Sequence, residues 1–281
     1  MSQPVPATPI ASPTAPTEIV VRSISVDGSR VRYSTGGQGP AVVFLHGWGL
    51  GHHAYRRGLR RLAKRGFRVI APALPGFGAT SELPEDAQSL AGYAAWTQRF
   101  CEAVGESYPV VVGHSFGGGV ATKLACDFAG SARAIALLNS IGGEWSNGQN
   151  RAPMESRPWW DWARSVPSDV GALVSNFAST MPSVLEDLVP NVVRNPFGVA
   201  KVGRLARSAN LSVELSLLRS RGLRTLVVHS ENDGVIPRSS FESVCDQLGQ
   251  TGHIVVGNHS WPMTHPEVFA EVVGGFIDSL E

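Results

Sequence analysis

The chain has 281 residues, 43% hydrophobic and 17% charged, with 24 Lys+Arg against 23 Asp+Glu and a formal net charge of +1. That length suits one large α/β domain or two small ones, with apolar residues enough for a sizeable core. The near-neutral balance gives no electrostatic footprint for nucleic acid, and no apolar run reaches the roughly 18 residues that span a bilayer.

Residues 1–18 are mostly Pro, Ala, Ser and Thr and read as a disordered tail. They carry neither the basic nor the apolar region of a secretory signal. Cys101, Cys126 and Cys245 are far apart. An odd, sparse set suggests no disulfide framework, so a cytoplasmic, reducing location is expected.

From residue 18 the pattern turns to strands. Residues 18–26 and 29–34 are two of them, joined by an Asp27-Gly28 hairpin turn. Residues 41–45 are continuously apolar, as in a parallel sheet covered on both faces, and end in His46-Gly47-Trp48-Gly49. A basic helix over 53–65 leads to a strand over 67–71, which ends in Leu74-Pro75-Gly76-Phe77-Gly78. An amphipathic helix over 90–104 precedes a β-branched strand, Val110 to Val112.

That strand runs into Gly113-His114-Ser115-Phe116-Gly117, and helical spacing resumes from Val120. Strand, tight turn and helix around G-x-S-x-G is the nucleophile elbow. Glycines flank the serine because a Cβ there would strike the adjoining strand or helix. Further strands follow over 134–138, 223–229 and 253–256, and a last helix over 266–280. Such alternation predicts a doubly wound, mostly parallel, eight-stranded sheet. The alternation breaks between about 144 and 214, where helical spacing appears over 170–181, 184–188 and 199–218. We read residues 145–214 as an inserted helical cap, and residues 19–144 with 215–281 as the core.

A serine hydroxyl needs a base to take its proton, and the base needs a carboxylate to hold its tautomer. In an open parallel sheet those groups meet at the carboxyl ends of strands. That criterion selects Asp233 and His259, with Glu231 as the competing acid, and the order Ser115, Asp233, His259 matches one triad class. Backbone N–H groups of Phe116 and Trp48 are the expected oxyanion hole. The other histidines have simpler expected roles: His114 points away from the hydroxyl, His46 orders a loop and His265 has a capping or surface role. His52-His53 lacks the companions of a metal site.

These residues resemble the α/β-hydrolase superfamily over residues 19–144 and 215–281. The likeness rests on His46-Gly-Trp-Gly, Leu74-Pro-Gly-Phe-Gly, the elbow, Asn232-Asp-Gly-Val-Ile-Pro237 and Gly257-Asn-His259 before Trp261-Pro262. One departure is Ala73, where the family usually has an aspartate, which puts the rigidity of that loop in question. A serine at the elbow argues against the epoxide hydrolases and haloalkane dehalogenases of the superfamily, which carry aspartate there. The resemblance implies an enzyme that needs no cofactor and cleaves a small-molecule carboxylic ester through an acyl-enzyme.

Alternatives with the same triad are a C–C bond hydrolase, a perhydrolase and a methyl ester esterase acting on a carrier protein. The His-Gly-Trp-Gly-Leu run resembles the last of these. Arg194, Lys201, Arg204 and Arg207, with no acid between 188 and 213, are either a solvated face or a contact for an acidic carrier. A non-catalytic ligand-binding relative is the remaining class. The cap holds Trp145, Trp159, Trp160 and Trp162, and Trp159 and Trp160 are the expected acyl-chain contacts.

Overall fold

The computed structural model describes residues 17–144 and 177–281. The expected tail therefore falls almost wholly outside the described residues, as do Trp145, Trp159, Trp160 and Trp162. Eight strands form one sheet in the order β1-β2-β4-β3-β5-β6-β7-β8. They are β1 (Val20–Val26), β2 (Ser29–Gly36), β3 (Ala41–Leu45), β4 (Arg68–Pro72), β5 (Val110–His114), β6 (Ala134–Leu138), β7 (Arg224–Asn232) and β8 (His253–Asn258). β1 and β2 form the expected hairpin, and β2 lies antiparallel to β4. All pairs from β4 to β8 are parallel.

The parallel strands are apolar on both faces because both faces are covered. Val43, Leu45, Val111, Ile135, Leu137 and Val227 point into one core. It is closed by α2 (Leu90–Ala103), α3 (Phe116–Asp127), α6 (Ser212–Ser220) and α7 (Arg238–Leu248). Val42, Phe44, Val110, Val112, Ala136 and Val228 point into the other. That side is closed by α1 (Arg56–Lys64) and α9 (Pro266–Asp278), with the short α8 (Trp261–Thr264) beside them. The alternation along each strand is the two-residue period of the pleat, filled with apolar residues on both sides.

The chain passes from β3 to β4 on one side and returns to place β5 on the other side of β3. A crevice opens where the order reverses, beyond the carboxyl ends of β3 and β5. Leu45 pairs with Gly113 in register. The loops beginning at His46 and at Ser115 therefore leave the sheet side by side.

The cap region differs in detail from the sequence pattern. Residues 170–176 of the first expected helix lie outside the described residues; the rest of it and the helix expected over 184–188 fall in one helix, α4 (Phe177–Arg194), which runs through Pro182 and Pro190. An interior proline costs a helix about 3 kcal/mol, so tertiary contacts of the polar face of α4 must offset it. The expected helix over 199–218 is two, α5 (Pro196–Arg207) and α6. The break between them is pinned to the segment after β6. Leu211 N–H donates to Gly142 O at 2.8 Å, and Asn210 bridges Gly142. Leu211, Leu215 and Leu218 are buried in the first core. Val199, Val202 and Ala206 of α5 are buried in the same core, so α5 and α6 both pack into it. The helix α7 has no counterpart among the expected elements.

The three cysteines are free and buried. Among the described residues no helix is long and apolar enough to cross a membrane.

Candidate active site

Ser115 sits between β5 and α3 with φ 53° and ψ −116°. Positive φ is strained for a non-glycine residue, and strain of this kind needs surroundings that over-determine it. They are visible here. A Cβ on Gly113 would lie 2.3 Å from Gly117 O, and one on Gly117 would lie 2.2 Å from Leu45 O. Both glycines are required by close backbone approach. Ser115 N–H donates to Leu138 O at 2.9 Å, which ties the elbow to β6.

Asp233 follows β7 and His259 follows β8, each directly after its strand. His259 Nδ1 and Asp233 Oδ2 are 2.9 Å apart, and the Asp233 side chain is fully buried. Asp233 Oδ1 accepts from Val235 N–H at 2.7 Å and Ile236 N–H at 2.8 Å, so it caps its own loop. Burial pushes the Asp233 carboxyl up. The charge and hydrogen bond of His259, the Asn139 amide and the Ile236 amide outweigh it and hold it at about 2. An ionised carboxylate only accepts, so Nδ1 of His259 carries the proton and the lone pair falls on Nε2. Glu231, the competing acid, is exposed and accepts from the neighbouring Asn232.

Asn139, directly after β6, was not foreseen. It is buried with φ 44°. Its Nδ2 donates to Ser230 Oγ at 2.7 Å and to Asp233 Oδ2, and its Oδ1 accepts from Trp261 Nε1 at 2.6 Å. The strand-end criterion that selects Asp233 and His259 applies equally to Asn139. A uniform search for titratable groups passes over an amide.

His114 bonds away from the elbow. Tyr55 O–H, His114 and its neighbours form a chain with one possible polarity, because its two ends are backbone groups. Gly47 N–H donates to Tyr55 Oη at 3.2 Å, Tyr55 O–H to His114 Nδ1 at 2.8 Å, and His114 Nε2–H to His259 O at 2.9 Å. Burial, with the charge of His259 next, lowers the His114 pKa to about 3, so the ring is neutral. His46 joins two loops, with its Nδ1–H donating to Gly47 O and its Nε2 accepting from Leu74 N–H, both at 2.9 Å. Burial lowers its pKa to about 4. His265 stands at the start of α9, but its ring bonds Thr264 Oγ1 and caps no helix amide. His52 bonds Ser34 Oγ, and among the described residues no cluster of ligands suits a metal ion.

The loop around Ala73 is pinned without an aspartate. Thr80 Oγ1 donates to Ala73 O at 2.9 Å, Tyr93 O–H to Pro75 O at 3.0 Å, and Gly78 N–H to Asn191 Oδ1 at 2.9 Å. Trp48 follows Gly47, and its indole Nε1 donates to Val199 O of α5 at 2.6 Å. Phe116 heads α3, buried, with its ring edge-on to Tyr93. The Gly47 amide is committed to Tyr55. Trp159 and Trp160 lie outside the described residues.

A doubly wound sheet of this order, with a strained serine at its switch point, defines an α/β hydrolase. The chain belongs to the alpha/beta hydrolase family, whose model matches residues 42–272. It is an enzyme of the hydrolase class. It is 26% identical over 263 residues to a putative non-heme haloperoxidase of Mycobacterium phage D29, covering 89% of this chain and 92% of that one. It is 28% identical over 277 residues to the 2-hydroxymuconate semialdehyde hydrolase of Pseudomonas sp. (strain CF600), covering 91% and 93%. Its fold matches the meta-cleavage product hydrolase of Pseudomonas fluorescens IP01 with a TM-score of 0.73 at 20% identity, over 92% of this chain and 98% of that one.

Proposed function

We propose that the protein is a serine hydrolase that cleaves a carboxylic ester through an acyl-enzyme. In this reading Ser115 Oγ attacks the ester carbonyl while His259 Nε2 takes its proton. The tetrahedral oxyanion is held by the backbone N–H groups of Phe116 and Trp48. His259 then protonates the departing alcohol, and water hydrolyses the acyl-enzyme by the same steps in reverse order. Asp233 stays ionised throughout and stabilises the imidazolium. Its carboxyl, held at about 2, suits that role.

The observation that carries the reading is the Asp233–His259 pair at 2.9 Å, tied to the elbow through the His114 Nε2–H bond to His259 O, beside a serine held at positive φ. A lone glycine-rich turn has no need of a buried carboxylate aimed at a histidine. The helix N-terminus beneath Ser115 adds a partial positive charge where the oxyanion forms.

A second reading keeps the triad and changes the bond cleaved to carbon–carbon. It is favoured by the near full-length similarity to 2-hydroxymuconate semialdehyde hydrolase. Two experiments test these readings. A fluorophosphonate should label Ser115 and fail to label Ser115→Ala. Labelling at another serine would sink the assignment. A panel of p-nitrophenyl esters assayed beside 2-hydroxymuconate semialdehyde then separates the two reactions by kcat/KM.

A further inference from the structure

The loop between β3 and α1 is short of internal support. Residues 46–54 contain Gly47, Gly49 and Gly51, and glycine loses the most backbone freedom on ordering. Its fixed shape matters because that loop contributes Trp48 to the proposed site. We infer that Asp187 and Asn191, one turn apart on α4, are positioning residues that hold this loop for catalysis from the cap.

Asp187 Oδ2 accepts from Gly51 N–H at 3.0 Å and from Ala54 N–H at 2.8 Å. Asn191 Nδ2 donates to Gly49 O at 3.0 Å and Leu50 O at 3.1 Å, and its Oδ1 accepts from Gly78 N–H. The two side chains are only 6% and 5% exposed, whereas Val189 and Val193 on the same helix are 50% and 74% exposed. Over residues 185–194 α4 therefore turns Asp187 and Asn191 inward while several apolar residues face solvent, unlike an ordinary surface helix. That inversion makes sense when the inward face serves as a template for backbone groups.

The loop is shaped to receive it. A Cβ on Gly51 would lie 3.0 Å from Asp187 Oδ1, and Gly49, at φ 77°, would bring one to 3.1 Å from Leu188 Cδ1. Either addition would require the Asp187 or Leu188 side chain to give way by a few tenths of an ångström. α5 completes the grip, since Val199 O takes the Trp48 indole N–H and Gly203 lies against the Trp48 ring. Backbone groups of residues 49, 50, 51 and 54, on the far side of Trp48 from the sheet, are thus satisfied by α4 side chains. The amide of Gly47, on the near side, is satisfied by Tyr55. Trp48 is held between the two. A donor displaced by about 1 Å can cost about a hundredfold in rate.

The inference rests on the serine-hydrolase reading, and the experiment separates the two. Asp187→Ala and Asn191→Ala are assayed on a p-nitrophenyl ester, with kcat expressed per active site titrated by fluorophosphonate. Expected is a fall in kcat of about ten- to a hundredfold with KM within about threefold. Asp187→Asn, which keeps an acceptor oxygen for both amides, should restore most of the rate. Val193→Ser, on the exposed face, should leave kcat unchanged. If Asp187→Ala yields no titratable protein, Asn191→Ala decides by the same measure. Values of kcat per site within about twofold of wild type, with only the melting temperature lowered, would show a structural strut and overturn the inference. Full activity in Ser115→Ala would instead overturn the reading beneath it.

Discussion

Asn139 offers the sharpest test of how the acid is held, through Asn139→Ala. The side chain joins three partners, Asp233 Oδ2, Ser230 Oγ and Trp261 Nε1, in a fully enclosed place. Its bond to an ionised carboxylate is worth about 2 kcal/mol. Removing it also strands the indole N–H of Trp261, which is 0% exposed, at a cost of about 2 kcal/mol more. Alanine at φ 44° adds about 1 kcal/mol, because left-handed backbone suits asparagine better. The loss is therefore about 5 kcal/mol, and in a protein of this size each kcal/mol moves Tm by about 2–4 °C. A fall of about 10–20 °C by circular dichroism follows. Asp233 retains His259 and two backbone amides, so kcat should fall by only about tenfold. A Tm shift below about 5 °C with unchanged kcat would refute the view that Asn139 secures the acid.

Three further outcomes are expected. Asp233→Asn should lower kcat by about 10⁴, since an amide facing Nδ1 stabilises the wrong tautomer of His259; stopped assays over a dilution series of enzyme measure this, and a loss below about tenfold would point to Glu231. Gly117→Ala, whose Cβ would meet Leu45 O at 2.2 Å, should destabilise by about 1–3 kcal/mol in urea titration and also lower kcat, because the clash lies beneath Ser115; a neutral result in both would mean the elbow is not tight. Stability should fall steeply in mild acid. His46, His52 and His114 have pKa values lowered to about 4, 3 and 3, mainly by burial. A depressed folded pKa favours the neutral ring, so its stabilisation is fully present above pH 6.5 and is lost as the unfolded chain takes up protons below it. At pH 5 each contributes a loss of about 2 kcal/mol, about 6 kcal/mol together. Urea midpoints unchanged between pH 7 and pH 5 would show that these rings are not buried and neutral.

Much of the site could be read in order along the chain. Short apolar β-branched runs bounded by turn residues read as strands buried on both faces, and parallel strands gather function at their carboxyl ends. Those two facts select Ser115, Asp233 and His259 at strand ends, and Gly113 and Gly117 mark close backbone approaches that the structure contains. Sequence reasoning also located the break after β6, because four tryptophans and helical spacing there have no strand to alternate with.

Tertiary structure alone decided the rest. Whether Asn139 or Asp187 is a surface polar residue or a buried partner depends on what the chain folds against it, and that partner is 94 or 136 residues away. The two prolines inside α4 argue locally for a break, yet the helix continues through both and Asp187 and Asn191 tie it to the loops after β3 and β4 by five hydrogen bonds. The segment between α5 and α6 is tied to Gly142 by the Leu211 N–H bond and the Asn210 bridge, contacts that no periodicity encodes. Local pattern determines which elements form and which face they bury. Long-range hydrogen bonding between irregular segments, where spacing carries no signal, determines how the loops around Ser115 are held.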